Sequence, residues 1–588
     1  MSVDGSLSEV LLENRMDELF AQLSFLYGAQ NAPRLMERIR LIIDRHHKNI
    51  RPGEAKLTER DAILIVYPDQ VREPETTPLK TLKVFCERRL KGLFSGLHIL
   101  PFFHYSSDDG FSVMDYREVN SELGDWDDIR HLGDDFSLMF DAVVNHISAQ
   151  SAWFQAFLRN EPPYREYFIT VEGEPDLSAV VRPRALPLLT SFETVSGTKQ
   201  VWTMFSRDQV DLNYRNPEVL LEMIDIILFY TSQGAQFIRL DAIAFLWKEI
   251  GTSCVHLPQT HCLVQLLRGV LDIAAPHVML ITETNVPHHL NVSYFGDGNN
   301  EARMVYNFAL PPLVLHAFHR GQVGPLAKWL ADVNVPSANV SFLNFLASHD
   351  GIGLSAVRGI LPESEIDWLI NRSMECGGFV SYKEDRDGKQ AYELNVNFFD
   401  ALCASGASEM QNLQMERFVA AHAIMLSIRG VPAIYFHSMF GSRGWLGGVE
   451  ETGQNRAINR QKLDLGSLER DLADPASLRH QVFGQLSHLL KIRSSCSAFH
   501  PAGPQTILKG GDSVLAMLRE SPTGDERVLC LQNVSGKPGS IECDLRAIFE
   551  DVQHRGQVYD LISNQELPIQ RNVKLTLRPY QTLWLSSA

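Results

Sequence analysis

Two kinds of apolar spacing divide the chain. Over residues 6–49 apolar side chains recur every three or four positions, with Leu12, Met16, Leu19, Phe20 and Leu23 in one run and Leu35, Ile39, Ile42 and Ile43 in a second. That spacing lines one face of an α-helix, and Tyr27-Gly28-Ala29 between the runs reads as a turn. An N-terminal helical hairpin is predicted over 1–56, and its apolar stripe has to be covered. Packing on the main body and pairing of two chains in a homodimer would both cover it.

From about residue 60 short apolar runs closed by polar residues alternate with helical stretches. The candidate strands are 62–67, 96–101, 138–145, 235–241, 278–283, 304–308, 341–349 and 431–436, with helical segments such as 217–232, 416–428 and 477–492 between or after them. Parallel strands buried on both faces read as continuous apolar runs. Eight β-then-α units predict an α/β fold, a (β/α)8 TIM barrel. Two stretches, 147–213 after the third strand and 352–414 after the seventh, are too long for barrel loops and predict inserted subdomains over the barrel mouth. The barrel itself then occupies 57–146, 214–351 and 415–496. Beyond it, β-like runs at 513–518, 527–533 and 573–577 predict a small antiparallel C-terminal β domain over 497–588.

Composition narrows the partners. A formal net charge of −17 excludes nucleic acid and anionic membranes, which both need a basic footprint. The longest apolar stretches, such as 62–66 and 278–281, are far too short to span a bilayer, and the first residues lack the basic head and apolar run of a secretory signal. Eight scattered cysteines (Cys86, Cys254, Cys262, Cys376, Cys403, Cys496, Cys530 and Cys543) form no CxxC pair and no disulfide framework. A reduced, cytoplasmic setting is expected, with the thiols mostly serving as small apolar fillers.

Chemistry gathers where the predicted strands end. The third closes on Asp141-Ala-Val-Val-Asn145-His146, the fourth on Arg239-Leu-Asp241, the fifth on Thr282-Glu283 and the seventh on Ser348-His349-Asp350. In a barrel these ends meet at one face. Cleaving an α-glucosidic bond with retention needs a carboxylate nucleophile and a second carboxyl that first gives and then takes a proton, about 5–5.5 Å apart. Asp241 is the candidate nucleophile. Arg239, two residues earlier and so on the same side of its strand, can hold it ionised. Glu283 is the candidate general acid/base, Asp350 would grip sugar hydroxyls, and His146 and His349 would add donors.

The segments 141–146, 234–241, 282–283 and 349–350 together resemble the four sequence regions of the α-amylase family, in order and spacing. The resemblance covers the chain from about residue 60 to the end and implies a catalytic triad of Asp241, Glu283 and Asp350. Within that family the stretches 106–113, Arg182-Pro183-Arg184, 209–211 and 455–460 are similar to the sucrose phosphorylase subfamily. That likeness implies that Asp108 and Arg456 wall off the far side of a single-glucose site, that Phe111 lies under the sugar, and that Phe245 and Gln209 lie nearer the acceptor. It also implies that inorganic phosphate is co-substrate, and two guanidiniums at Arg182 and Arg184 suit a phosphate. No cofactor and no metal is expected.

The acceptor is read from two departures. After Glu283 the chain runs Thr284-Asn285-Val286-Pro287-His288, like the branch acting on glucosylglycerate, glucosylglycerol and sucrose 6′-phosphate. Where relatives typically have an Asn-Asp pair, Gly444-Trp445 follows Arg443. A tryptophan in place of a polar pair would shrink the acceptor pocket. Glycerol is therefore the acceptor expected, with Glu450 or Glu451 accepting from its hydroxyls and 2-O-α-glucosylglycerol as the small-molecule glucoside. Arg443 keeps glycerate open, phosphorolysis of sucrose or sucrose 6′-phosphate is a further alternative, and an α-glucoside hydrolase or transglucosidase would share the same triad.

Overall fold

The computed structural model describes residues 3–54, 56–184, 186–385, 388–402, 411–549 and 557–587, and eight of its strands close into a parallel barrel. In chain order these are β1 Ile63–Val66, β2 Gly96–Ile99, β3 Ser137–Ala142, β4 Ala235–Leu240, β5 Met279–Thr282, β6 Met304–Tyr306, β7 Ser341–Phe345 and β8 Val431–Tyr435. Each pairs with its neighbours in sequence, and β1 closes the ring on β8 with Ile63 opposite Ala433. Every residue of β1, β2, β5 and β8 is buried, which is why these strands carry no polar alternation. The ladders stop short of the predicted strand ends because the polar residues there leave the sheet. Asp241 follows β4, Glu283 follows β5, and His349 and Asp350 lie beyond β7.

Two insertions interrupt the barrel. After β3 the chain forms a three-stranded sheet from Thr170–Val171, Leu189–Thr194 and Gly197–Trp202, and Gln209–Asp211 pairs back on His146–Ser148. After β7 a second sheet joins Ile352–Gly353, Phe379–Asp385 and Gly388–Asn395. The C-terminal part is antiparallel, a six-stranded sheet with Val514–Glu520, Arg527–Asn533 and Thr582–Ser586 adjacent within it. Val573–Leu577 pairs separately with Gly539–Cys543. Arg519 ties this part to the barrel by donating to the carbonyl oxygen of Ser427 at 2.7 Å.

The helical hairpin comprises α1 Val3–Tyr27 and α2 Ala32–His47. Leu19, Leu23, Leu35 and Ile39 are buried where α2 packs on α3 (Pro217–Ser232) and α1 on α4 (Pro258–Ala274). Gly269 of α4 makes room, since a Cβ there would lie 3.0 Å from Leu19 Cδ2. Charged groups fix the fit: Arg45 and His46 reach Asp225 of α3 at 2.8 and 2.9 Å, and Arg15 reaches Asp272 of α4 at 3.0 Å. The stripe is thus covered by the barrel's own helices, although Phe20 faces outward. No helix among the described residues is long and apolar enough to cross a membrane.

Cys86, Cys254, Cys262, Cys496 and Cys530 are buried free thiols, as fillers should be, and Cys543 is half-buried. Cys376 is disulfide-bonded, a bond of which the scattered spacing gave no sign. Cys403 lies outside the described residues.

Because the hairpin is held by a thin apolar seam, Leu23→Ala should cost about 2–5 kcal/mol locally. Hydrogen exchange should show the amides of α1 and α2 losing protection by roughly 30-fold or more while those of the barrel strands keep theirs. Equal loss throughout would show that the hairpin unfolds only with the barrel.

Candidate active site

One guanidinium organises the mouth of the barrel. Arg239, the fifth residue of β4 and 2% exposed, donates to Asp241 Oδ1 at 2.8 Å and also to Asp141 Oδ1 from β3. Its other terminal nitrogen lies 3.9 Å from Glu283 Oε2, just past β5. The rings of Phe111 and Tyr306 flank it, 5.7 and 5.4 Å from the guanidinium carbon. Asp141 is shared with His98 of β2, whose Nε2 is 2.7 Å from Asp141 Oδ2. Immediately after Asp241 the backbone turns left-handed at Ala242, φ +50°, and the Ala242 N–H donates to Glu283 Oε2 at 3.2 Å. Strand alternation places Arg239 and Asp241 on one side; the turn at Ala242 then joins the ends of β4 and β5.

The acids differ in charge for physical reasons. Burial pushes Glu283 up to about 7, with Asp241 and Asp350 adding to the rise and Arg239 opposing it. Burial also raises Asp241, against Arg239 and His146. Because Arg239 grips Asp241 directly and reaches Glu283 only at 3.9 Å, the charge of the pair belongs on Asp241 and the proton on Glu283. At Asp350 burial is overcome by Arg456 and Arg460, which hold it well below the carboxylate range. At Asp141 burial is likewise overcome by Arg239 and His98, down to about 2. Burial keeps His349 neutral, lowered to about 3, and lowers His146 as well. His146 Nε2 faces the Phe111 carbonyl at 2.9 Å, so that nitrogen carries the proton. A protonated carboxyl beside an ionised one is the arrangement for double displacement at a glycosidic carbon.

Asp108 and Arg456, expected to wall off the far side, both line the cavity. Asp108 and Arg456 do not pair with each other. Asp108 meets Arg184 at 3.2 Å, Arg460 at 3.4 Å and Gln209 Nε2 at 3.3 Å. Arg456 pairs with Asp350 at 2.6 Å and bidentately with Glu393 at 3.0 and 2.6 Å. Arg460 lies between them, reaching Asp109 at 2.9 Å, Asp350 at 3.4 Å and the His349 carbonyl at 3.0 Å. Asp108 and Asp109 are both left-handed, at φ +54° and +47°, a strained geometry that Arg460 holds from the other side. Phe111 stacks on His349 with ring centroids 4.8 Å apart and planes within 5°. Arg460 closed the 455–460 stretch but carried no separate signal, and Glu393 is one acid in an alternating strand, indistinguishable from a surface residue.

These groups enclose a cavity of about 330 Å³. Asp241, Glu283, Asp350, Asp108, Phe111, His146, Gln209, Phe245, His349, Arg456, Arg182 and Arg184 all line it, and Arg239 stands behind. Arg184 lies over the Phe205 ring at 5.7 Å. Arg443, Trp445 and Glu450 are not brought to it. Arg443 is held by Asp400 and Gln414, each at 2.8 Å, and lies on Phe399. Trp445 folds back on its own helix, where Gly448 leaves the space: a Cβ there would sit 2.2 Å from the indole. Glu450 is exposed. The outer cavity is lined instead by His256, Asn285, Lys383 and Tyr392. Burial lowers His256 to about 4, so it is neutral, and its Nδ1 lies 2.9 Å from the Tyr294 hydroxyl. Among the described residues no group of three or more His, Cys, Asp or Glu is arranged to hold a metal ion.

Residues 90–350 match the family model described as alpha amylase, catalytic domain. The chain is 48% identical to the glucosylglycerate phosphorylase of Spirochaeta thermophila, over 97% of this chain and 98% of that one. It is 33% identical to the glucosylglycerol phosphorylase of Marinobacter adhaerens, over 74% of this chain and 87% of that one. Its fold matches the crystal structure of sucrose 6F-phosphate phosphorylase from Thermoanaerobacter thermosaccharolyticum, with a TM-score of 0.71 and 24% identity over 82% of this chain and 95% of that one. The chain belongs to the α-amylase family, within its sucrose phosphorylase subfamily of glucoside phosphorylases.

Proposed function

We propose that the protein catalyses reversible phosphorolysis of 2-O-α-glucosylglycerate, giving α-glucose 1-phosphate and glycerate. Asp241 attacks the anomeric carbon while Glu283 gives its proton to the departing glycerate oxygen, leaving a β-linked glucosyl ester on Asp241. A phosphate oxygen then attacks that carbon, the ester bond to Asp241 breaks, and Glu283, now ionised, takes up the proton the incoming phosphate sheds. Two inversions return the α configuration. Asp350, fixed by Arg456 and Arg460, is placed to accept from sugar hydroxyls, and Phe111 on His349 gives an apolar floor.

The observation that carries the acceptor is the charge of the outer cavity. Arg182, Arg184 and Lys383 line it, and the loop on which a small neutral acceptor was argued, with Arg443, Trp445 and Glu450, does not. A cationic wall favours an acceptor bearing a carboxylate over glycerol, and it also serves phosphate. The 48% identity to a glucosylglycerate phosphorylase, against 33% to a glucosylglycerol phosphorylase, supports the same choice.

Incubation with phosphate and each glucoside should release glucose 1-phosphate fastest from glucosylglycerate. Faster turnover of glucosylglycerol would reverse the acceptor, and free glucose as the main product would refute phosphorolysis. Glu283→Gln should lower kcat/KM by about 10²–10⁴-fold. Since Glu283 must enter the reaction protonated and is raised to about 7, kcat/KM for phosphorolysis should be full below that pH and fall as pH rises through it. An alkaline limb that persists unchanged in Glu283→Gln would assign the titration elsewhere. Arg184→Ala should raise the KM for phosphate tenfold or more, while the rate of transfer to water stays within a few-fold.

A further inference from the structure

A second cavity opens at the opposite end of the barrel. Met279 begins β5, Arg303 immediately precedes β6 and Ser341 begins β7, and all three line a space of about 470 Å³. Asp241 and Glu283 lie past the other ends of their strands, so this cavity is separate from the active site. The hairpin contributes Arg15, the segment after it Lys56, α4 Arg268, and the approach to the C-terminal sheet His500.

Its charge is one-sided. Arg15, Lys56, Arg268 and Arg303 line it, and its lining includes no carboxylate among the described residues. The three guanidiniums share a single acid behind the wall: Asp272 lies 3.0 Å from Arg15, 2.7 Å from Arg268 and 3.5 Å from Arg303. Arg15 also pairs with Glu18 at 2.6 Å on the exposed rim and donates to the Asn299 carbonyl at 3.1 Å. Four cations against two carboxylates leave an uncompensated excess, in a chain whose net charge is −17. Arg268 and Arg303 are 7% and 18% exposed at their side chains. Unbalanced charge that far from water costs stability unless a counter-ion fills the space. The cost is visible at Arg303, which burial and then Arg268 push down to about 10.

Planar guanidiniums converging from separate elements suit the oxygens of a phosphate, which they can grip in pairs. Asn299 and Asn339 add neutral donors at the rim. The space falls in the size range of small-molecule sites. We propose that this cavity is a second anion site, taking a phosphate-bearing small molecule that clamps the N-terminal hairpin to the floor of the barrel. The site does not depend on the reaction assigned to the catalytic end.

Titration calorimetry on the full chain would use inorganic phosphate and glucose 6-phosphate as probes, the latter being neither substrate nor product of the proposed reaction. Wild type should bind one or both, and Arg303→Gln and Arg15→Gln should each weaken that binding tenfold or more with kcat unchanged. Arg15 lies on the half-exposed rim, so its variant keeps the test open if Arg303→Gln folds poorly. Tighter binding of glucose 6-phosphate would identify a sugar phosphate as occupant, and equal or tighter binding of phosphate would identify the free ion. Binding of both probes that neither substitution alters, or no binding of either, overturns the site.

Discussion

The active end of this molecule depends on one buried guanidinium. Arg239 touches Asp141 and Asp241 and comes within 3.9 Å of Glu283, so acids from three adjacent strands are held by one positive charge. Without it, carboxylates would face each other at low dielectric and would take up protons to avoid mutual repulsion. Removing one partner from a buried pair of this kind costs about 3–5 kcal/mol. The asymmetry of its contacts also does chemical work, because the acid it grips keeps the charge and the acid it barely reaches keeps the proton. A carboxylate and a carboxylic acid are thus set apart by about an ångström of difference in distance to one side chain.

The same logic is repeated one layer out. Arg456 and Arg460 both hold Asp350, and each also reaches outward, to Glu393 in the insertion after β7 and to Asp108 and Asp109 in the loop after β2. Asp108 in turn receives Arg184 from the insertion after β3. The two insertions are therefore coupled to the barrel by an alternating chain of charges that ends on the sugar site. Such a network ties the insertions to the barrel in addition to their own apolar clusters, and it holds two adjacent left-handed aspartates in place.

Much of this was legible in the sequence because barrel physics writes it there. Strands buried on both faces read as largely apolar runs, so all eight were visible, and the polar residues ending four of them marked one rim of the barrel. Asp241, Glu283, Asp350 and Arg239 were singled out that way, and the structure brings them together at one cavity. Arg460 and Glu393 were not, because their importance lies in partners more than sixty residues distant and nothing local distinguishes them. Phe20 matched helical spacing but faces solvent, since a stripe read from periodicity is wider than the groove that receives it. The Trp445 loop failed for a different reason. A bulky side chain in a variable loop was read as filling the nearest functional space, whereas Gly448 provides a slot on its own helix, and only coordinates reveal that slot.

In the proposed double displacement, what enters the cavity decides what happens to a glucosyl group bound to Asp241. Water is the more abundant competitor, so transfer to another acceptor requires that the acceptor be concentrated and oriented where water is not favoured. Phe205, Phe245, Pro287 and Leu290 give that space apolar walls, and Arg182, Arg184 and Lys383 give it positive charge. An apolar wall weakens the hold on water, while a guanidinium strengthens the hold on an anion in the same low-dielectric space. In the proposed reaction phosphate and glycerate are both anions and both attack through an oxygen, so one set of cations could serve the two directions in turn. A neutral polyol would gain nothing from those cations, which is the physical case for proposing a charged acceptor.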